Sequence, residues 1–162
     1  MDPTTETIKS YFDSREWKYR LNEESYSKGP YYVFDFTLRG SNEIIDIIII
    51  VDPNRNLLLM NCFPRVRFNP ENKLGAISAV NEYNIDANII SACINKHGDL
   101  VFSFHIYTGG INIISEETFG FEFELLFDAA NEETAHIYKR ALEFEPPVPQ
   151  KKKRGIFSFF KK

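Results

Sequence analysis

Seven of the eight residues from 44 to 51 are isoleucine or valine, and Asp46 is the only exception. β-Branched side chains lose rotamer freedom against the preceding turn of a helix but fit a pleated surface, so this segment is a strand. It is apolar on both faces apart from Asp46, which places it in the centre of a sheet, buried from both sides. The longest uninterrupted apolar run, 47–51, is far short of the roughly 20 residues that a membrane-spanning helix needs. Asp52, Pro53, Asn54 and Arg55 supply turn chemistry, and residues 57–62 return as the next strand. Upstream, residues 31–38 alternate, with Tyr32, Phe34, Phe36 and Leu38 on one face and Tyr31, Val33, Asp35 and Thr37 on the other. Three such runs separated by short polar stretches predict an antiparallel meander.

The flanking segments carry other periods. Asp2 and Pro3 form an N-cap followed by proline at the first helical position, and Ile8, Tyr11 and Phe12 then recur at helical spacing, predicting a helix over about 3–14. Trp17, Tyr19 and Leu21 alternate with Lys18 and Arg20 and read as a half-buried strand, ahead of a polar loop over 22–29. Asn69 and Pro70 open a second helix to about residue 84, along which Leu74, Ile77, Val80 and Tyr83 recur at three-residue spacing. Residues 88–94 and 100–107 make another hairpin, whose turn contains Gly98.

From 115 to 144 two periods compete. Phe119, Phe121, Phe123, Leu125 and Phe127 alternate as in a strand. A helical stripe of Phe119, Phe123, Leu126, Phe127, Ala130, Ile137, Tyr138, Ala141 and Leu142 runs longer, and it starts behind Ser115, Glu116 and Glu117, whose charges complement a helix dipole. Length and cap favour a helix, with Gly120 as its weak point.

Charge separates the chain into two parts. Its formal net charge is −4, yet Lys151, Lys152, Lys153, Arg154, Lys161 and Lys162 put +6 into the last twelve residues, so residues 1–150 carry −10. A body this acidic repels phosphate backbones, which argues against general nucleic-acid binding by it. Pro146, Pro147 and Pro149 end any helix, so the boundary falls between a folded domain, 1–145, and a proline-rich linker with a basic aromatic tail, 146–162. At 162 residues and 43% hydrophobic, the chain can fill one core. Two cysteines cannot make a disulfide framework, and Lys9, Ser10, Asp13 and Arg15 interrupt the first apolar cluster, which is unlike a signal peptide. The expected location is the cytoplasm, with peripheral membrane attachment as a variant.

Reactive groups are sparse. Cys62, Cys93, His97, His105 and His136 lack the close Cys-x-x-Cys or His-x-x-x-His spacing of a metal site. Glu116, Glu117, Glu122, Glu124, Glu132 and Glu133 on one helix read as its solvated face before they read as paired catalytic acids. Gly109 and Gly110 lack the residues that would cradle phosphate, and Asp52 lacks the rest of a calcium loop. No catalytic, cofactor-binding or metal residue is assigned.

The tail is the unusual feature. If helical, Ile156, Phe157, Phe159 and Phe160 share one face, opposite Ser158, Lys161 and Lys162. A helix this short needs a partner surface to order it. That surface could be an anionic membrane, a hydrophobic protein groove or the acidic body itself.

The element order is helix, three or four strands, helix, two strands, long helix. Its most telling parts are the strand pair 44–51 and 57–62, the exit through Pro64, Arg65 and Val66, and the helix ending in Val80, Asn81, Glu82, Tyr83 and Asn84. The hairpin at Gly98, Asp99 and Leu100 and the Ser115, Glu116, Glu117 start of the last helix complete the set. This pattern resembles the YbjN family on the type III secretion chaperone-like fold, over about residues 4–144. The resemblance implies an α+β domain with an antiparallel sheet of five to six strands backed by helices, often paired into dimers and described as a sensory transduction regulator. Related secretion chaperones bind extended segments of partner proteins. The basic tail is not part of that pattern.

The resulting expectation is a non-enzymatic, chaperone-like interaction domain that forms a homodimer and binds another polypeptide. Its expected contacts are Tyr31, Val33, His105 and Tyr107 on the domain and Lys151, Lys152, Lys153, Arg154, Ile156, Phe157, Phe159 and Phe160 on the tail. The alternatives are a peripheral membrane protein docking through the tail on anionic lipid, and an enzyme of unknown reaction.

Overall fold

The computed structural model describes residues 1–27, 29–87, 89–107 and 114–146. Asn88, the Gly109–Gly110 loop, the linker from Pro147 onward and the whole basic tail lie outside the described residues.

Helix α1 (Pro3–Ser14) starts as expected: the Asp2 carboxylate accepts from the Thr4 N–H at 3.0 Å and from the Thr5 hydroxyl. Strands β1 (Arg20–Tyr26), β2 (Gly29–Arg39), β3 (Ile44–Asp52) and β4 (Leu57–Pro64) then form a meander. A 3-10 turn (Pro70–Asn72) leads into α2 (Lys73–Asp86), followed by β5 (Ser91–Ile94), β6 (Leu100–Tyr107) and the long α3 (Glu116–Leu142). The six strands form one antiparallel sheet in the order β1-β2-β3-β4-β6-β5. The domain is therefore α+β, with the expected element order.

The core lies between one face of the sheet and the helices. Alternation turns Phe34, Phe36, Ile45, Ile47, Ile49, Val51, Leu58, Met60, Cys62 and Phe102 toward Ile8 and Phe12 of α1 and Phe119, Phe123, Leu126 and Ala130 of α3. Phe12 is the hub, with ring centroids of Trp17, Phe34, Phe36, Phe119 and Phe123 between 4.8 and 5.9 Å away. Most of these pairs are edge-on, and each adds about 0.5–1.5 kcal/mol beyond the area that it buries. Gly120 lets α3 approach α1, since a Cβ there would lie 2.5 Å from the Tyr11 ring. The Tyr11 hydroxyl donates to Glu124 at 3.1 Å, and burial, then this carboxylate, push its pKa up to about 12.

Four local expectations are corrected. First, the strand expected over 17–21 begins at Arg20 and runs on to Tyr26, through most of the expected polar loop over 22–29. Trp17 stacks on Phe12 and its N–H returns to the Phe12 carbonyl, so this residue belongs to the helix exit, while 22–26 pair with the eleven-residue β2 as a charged edge strand. Second, α2 buries Gly75, Ala76, Ala79 and Val80, and leaves Leu74 67% and Ile77 40% exposed. Close contact with α3 selects the small residues: a Cβ on Gly75 would sit 2.1 Å from the Ala141 carbonyl oxygen.

Third, β5 is shorter than 88–94, because α2 continues to Asp86 and the Asn84 side chain pairs with both backbone groups of Ala92 at 2.8 and 2.9 Å. Fourth, Tyr138 and Leu142 of the α3 stripe are 40% and 50% exposed; near its end the helix packs on Gly75 of α2 and, through the Tyr138 ring, on Phe68 at 5.5 Å. The helical reading of 115–144 holds, with Ser115 capping the Thr118 N–H at 3.1 Å.

Candidate functional site

The buried face of the sheet accounts for half of its side chains. The other half project from the opposite face, over which no described helix packs. On β3 this changes the reading of the isoleucine run: Ile45, Ile47, Ile49 and Val51 are buried, whereas Ile44, Asp46, Ile48 and Ile50 are only half-buried. The segment is central in the sheet but covered from one side. The same alternation leaves Leu57, Leu59, Asn61 and Phe63 of β4 half-buried on that open face.

Register assembles these residues into rows. Val33 lies opposite Ile50, Ile50 opposite Leu59, and Leu59 opposite His105, giving an apolar row across four strands that ends in an imidazole. Asp35, Ile48, Asn61 and Ser103 form the adjacent row, in which the Ser103 hydroxyl donates to Asn61 at 2.7 Å. A third row runs from Tyr31 past Asp52 and Leu57 to Tyr107, which is 75% exposed. At about 4.8 Å per strand, Tyr31 and Tyr107 stand roughly 14 Å apart at the same end of the sheet. The four domain residues named from the sequence thus share one face, although they come from distant parts of the chain.

The face carries charge, but each of its aspartates has an arginine. Arg20 meets Asp35 at 2.6 Å, Arg65 meets Asp46 at 3.2 Å, and Arg55 meets Asp52 at 3.5 Å. Burial raises the pKa of Asp46, but hydrogen bonds from Thr37 and Arg65 outweigh it and hold this carboxyl below the usual range. Asp52 is buried under Tyr26, whose hydroxyl donates to both of its oxygens at 2.7 and 3.0 Å, and it also accepts from the Asn54 and Arg55 N–H groups of the β3–β4 turn. The Arg55 guanidinium lies 5.0 Å from the centre of the Tyr26 ring, and Tyr26 packs on Tyr31 at 5.7 Å. This end of the face is a fixed aromatic and cationic corner.

The groups with potential for covalent chemistry are dispersed. Cys62 points into the core, where burial pushes its thiol pKa far up, and Cys93 lies on the open side of the short β5, its pKa also raised by burial. His97 sits in the β5–β6 turn, with its backbone N–H on Asn95 Oδ1 at 2.8 Å, while His105 is on the open face and His136 is exposed on α3. Among the described residues no group of three or more His, Cys, Asp or Glu is placed to hold a metal ion, and no helix is long and apolar enough to cross a membrane.

Sequence reasoning missed Ile48, Ile50, Leu59 and Phe63 as surface residues. The available signal was the helix count: three helices, one of them short, cannot cover both faces of a six-stranded sheet.

No protein-family model matches the chain, and no curated protein sequence matches it. Among solved structures, the chain is similar to YbjN from E. coli, described as a candidate transcription regulator, at 14% identity and a TM-score of 0.55, over 83% of this chain and 93% of that one. At this identity the likeness establishes a shared fold.

Proposed function

We propose that the chain is a non-enzymatic protein-interaction domain that works through the open face of its sheet, with a second copy of the chain as the first occupant. The observation that carries this reading is the Val33–Ile50–Leu59 row, an apolar strip in the middle of a face that no described helix covers. The argument for a second copy is electrostatic. A body of net charge −10 repels itself, but on this face Asp35, Asp46 and Asp52 are already matched by Arg20, Arg65 and Arg55. The central rows of this surface, which lie between Glu24 and Arg39 at its margins, can meet their own two-fold image without bringing unpaired like charges together. Tyr31, Tyr107 and His105 then border the contact, where aromatic and imidazole groups suit an interface rim. Two chains paired in this way would present their helical layers outward to a further polypeptide. The description of the YbjN neighbour as a candidate transcription regulator agrees with a non-enzymatic reading.

The test is sedimentation velocity on the full chain and on Ile50→Glu with Leu59→Glu. The expected result is a dimer that dissociates in the double variant while the circular dichroism spectrum stays unchanged, because both side chains point away from the core. A wild-type chain that stays monomeric at high concentration contradicts the second copy as occupant. A turnover activity that survives both substitutions contradicts the non-enzymatic reading.

A further inference from the structure

On the far side of the molecule from the open sheet face, α2 and α3 diverge around a groove of about 710 Å³. Its floor is apolar, formed by Tyr83 and Ile90 together with Leu125, Ala129 and Ile137 of α3. Its walls are acidic: Glu82 and Asp86 project from the α2 side, and Asp128, Glu132 and Glu133 from α3. The other charged or titratable groups lining it are Arg140, which is paired with Glu82, and His136. A second depression of about 350 Å³ shares Ala79, Glu82 and Arg140 with the groove and extends it to Glu143 and Phe144, where the chain leaves α3.

We infer that this groove is the docking site of the chain's own basic aromatic segment, residues 151–162, bound within the same molecule. Three observations converge. The segment combines Lys151, Lys152, Lys153 and Arg154 with Ile156, Phe157, Phe159 and Phe160, and the groove combines acidic walls with an apolar floor, so charge and hydrophobicity match at once. The reach is sufficient: the groove follows α3 back from Arg140 to Leu125, about 22 Å at 1.5 Å per residue. The eight residues 143–150 span up to about 26 Å when extended. Direction agrees as well, since Pro146, Pro147 and Pro149 forbid continuation of α3, and the second depression leads from the helix end into the groove. Docking there screens an acidic surface and removes four large apolar side chains from water while leaving the sheet face free. The inference is therefore independent of the self-association proposed above.

Carbodiimide coupling on the full chain, which joins lysine amines to neighbouring carboxylates, tests this directly. Lys151, Lys152 and Lys153 are expected to link to Asp86, Asp128, Glu132 or Glu133 of the same molecule, as read by mass spectrometry in a mixture of isotopically light and heavy chains. The yield should fall roughly tenfold in high salt, where screening shortens the reach of charge. It should also fall severalfold in the full chain carrying Phe159→Ala with Phe160→Ala, which keeps every cross-linking group. Three results would each overturn the inference: links spread evenly to remote acids such as Glu23 and Glu24, links only between light and heavy chains, or flotation of the full chain with anionic vesicles through this segment in the absence of any link.

Discussion

Replacing Gly75 by alanine tests how tightly α2 is seated against α3. In an isolated helix this change is favourable by about 1 kcal/mol, because glycine gives up more backbone freedom on folding. Here the new Cβ would lie 2.1 Å from the Ala141 carbonyl oxygen and 3.0 Å from the Phe144 Cβ. Neither atom can swing aside, since the first is main chain and the second the root of a side chain. The helices must therefore part by more than an ångström, which loosens Ala76 and Ala79 as well. Overpacking of this kind costs about 1–3 kcal/mol. The net expectation, after the propensity gain, is a loss of up to about 2 kcal/mol, read as a lower urea midpoint by Trp17 fluorescence and circular dichroism. At roughly 2–4 °C per kcal/mol for a chain of this size, Tm falls by up to about 8 °C. Leu74→Ala, at a position 67% exposed, is the companion and should stay within about 0.5 kcal/mol of wild type. If Gly75→Ala stabilises by the full propensity gain while Leu74→Ala costs about 2 kcal/mol or more, then α2 is rotated to bury its leucine stripe and the reasoning is refuted.

Three further outcomes follow from the same packing. Asn131 is buried and ties the β2–β3 turn to α3: its Oδ1 accepts from the Asn42 and Glu43 N–H groups at 3.0 and 3.2 Å, and its Nδ2 donates to Ser41 at 2.9 Å. Asn131→Ala should cost about 2–3 kcal/mol in chemical denaturation, and Asn131→Asp, which keeps the acceptor, clearly less. Asp99 is held below the usual carboxylate range by hydrogen bonds from Arg67 and Asn95. A depressed folded pKa stabilises above the unfolded value, near 4, and that contribution is lost as pH falls through the folded one. Asp99→Asn should therefore cost about 0.2–1 kcal/mol at neutral pH and flatten the decline in stability below about pH 4, as seen in a pH series of urea titrations. Finally, a thiol reagent should modify Cys93 in the native protein, but Cys62, fully buried on β4, only as fast as the domain opens; two equal rates would contradict the placement of Cys62.

Strong local signals carried most of the fold. The Asp2–Pro3 start of α1, the isoleucine run of β3 and the capped acidic start of α3 each combine a period with a terminator, and the structure has all three where the sequence puts them. What stayed hidden depends on partners remote in sequence. The burial of Gly75 and Ala76 in place of Leu74 and Ile77 follows from how closely α3 approaches, which no local period encodes. The strand character of 22–26 comes from pairing with β2, whose alternation over 31–38 was legible but whose start at Gly29 and edge partner were not. At the candidate site, Tyr31, Val33, His105 and Tyr107 were visible as outward positions of their own strands. That Ile50 and Leu59 join them depends on sheet order, because an apolar run reads the same whether one face or both are covered. The α2–α3 groove was invisible for a similar reason: Asp86 and Glu133 come to line one groove, from opposite walls, only after two helices have docked.

The open face is the centre of the account, and hydrogen exchange followed by mass spectrometry, on the full chain over a dilution series, tests it most directly. Peptides covering β3 and β4 should exchange more slowly at high concentration than at low in wild type, with no such difference in Ile50→Glu with Leu59→Glu, while α1 and α2 are unaffected by dilution in both. Protection that is independent of concentration on β3 and β4, or concentration-dependent on the helical layer instead, would contradict the claim that this sheet face is where the chain meets its partner.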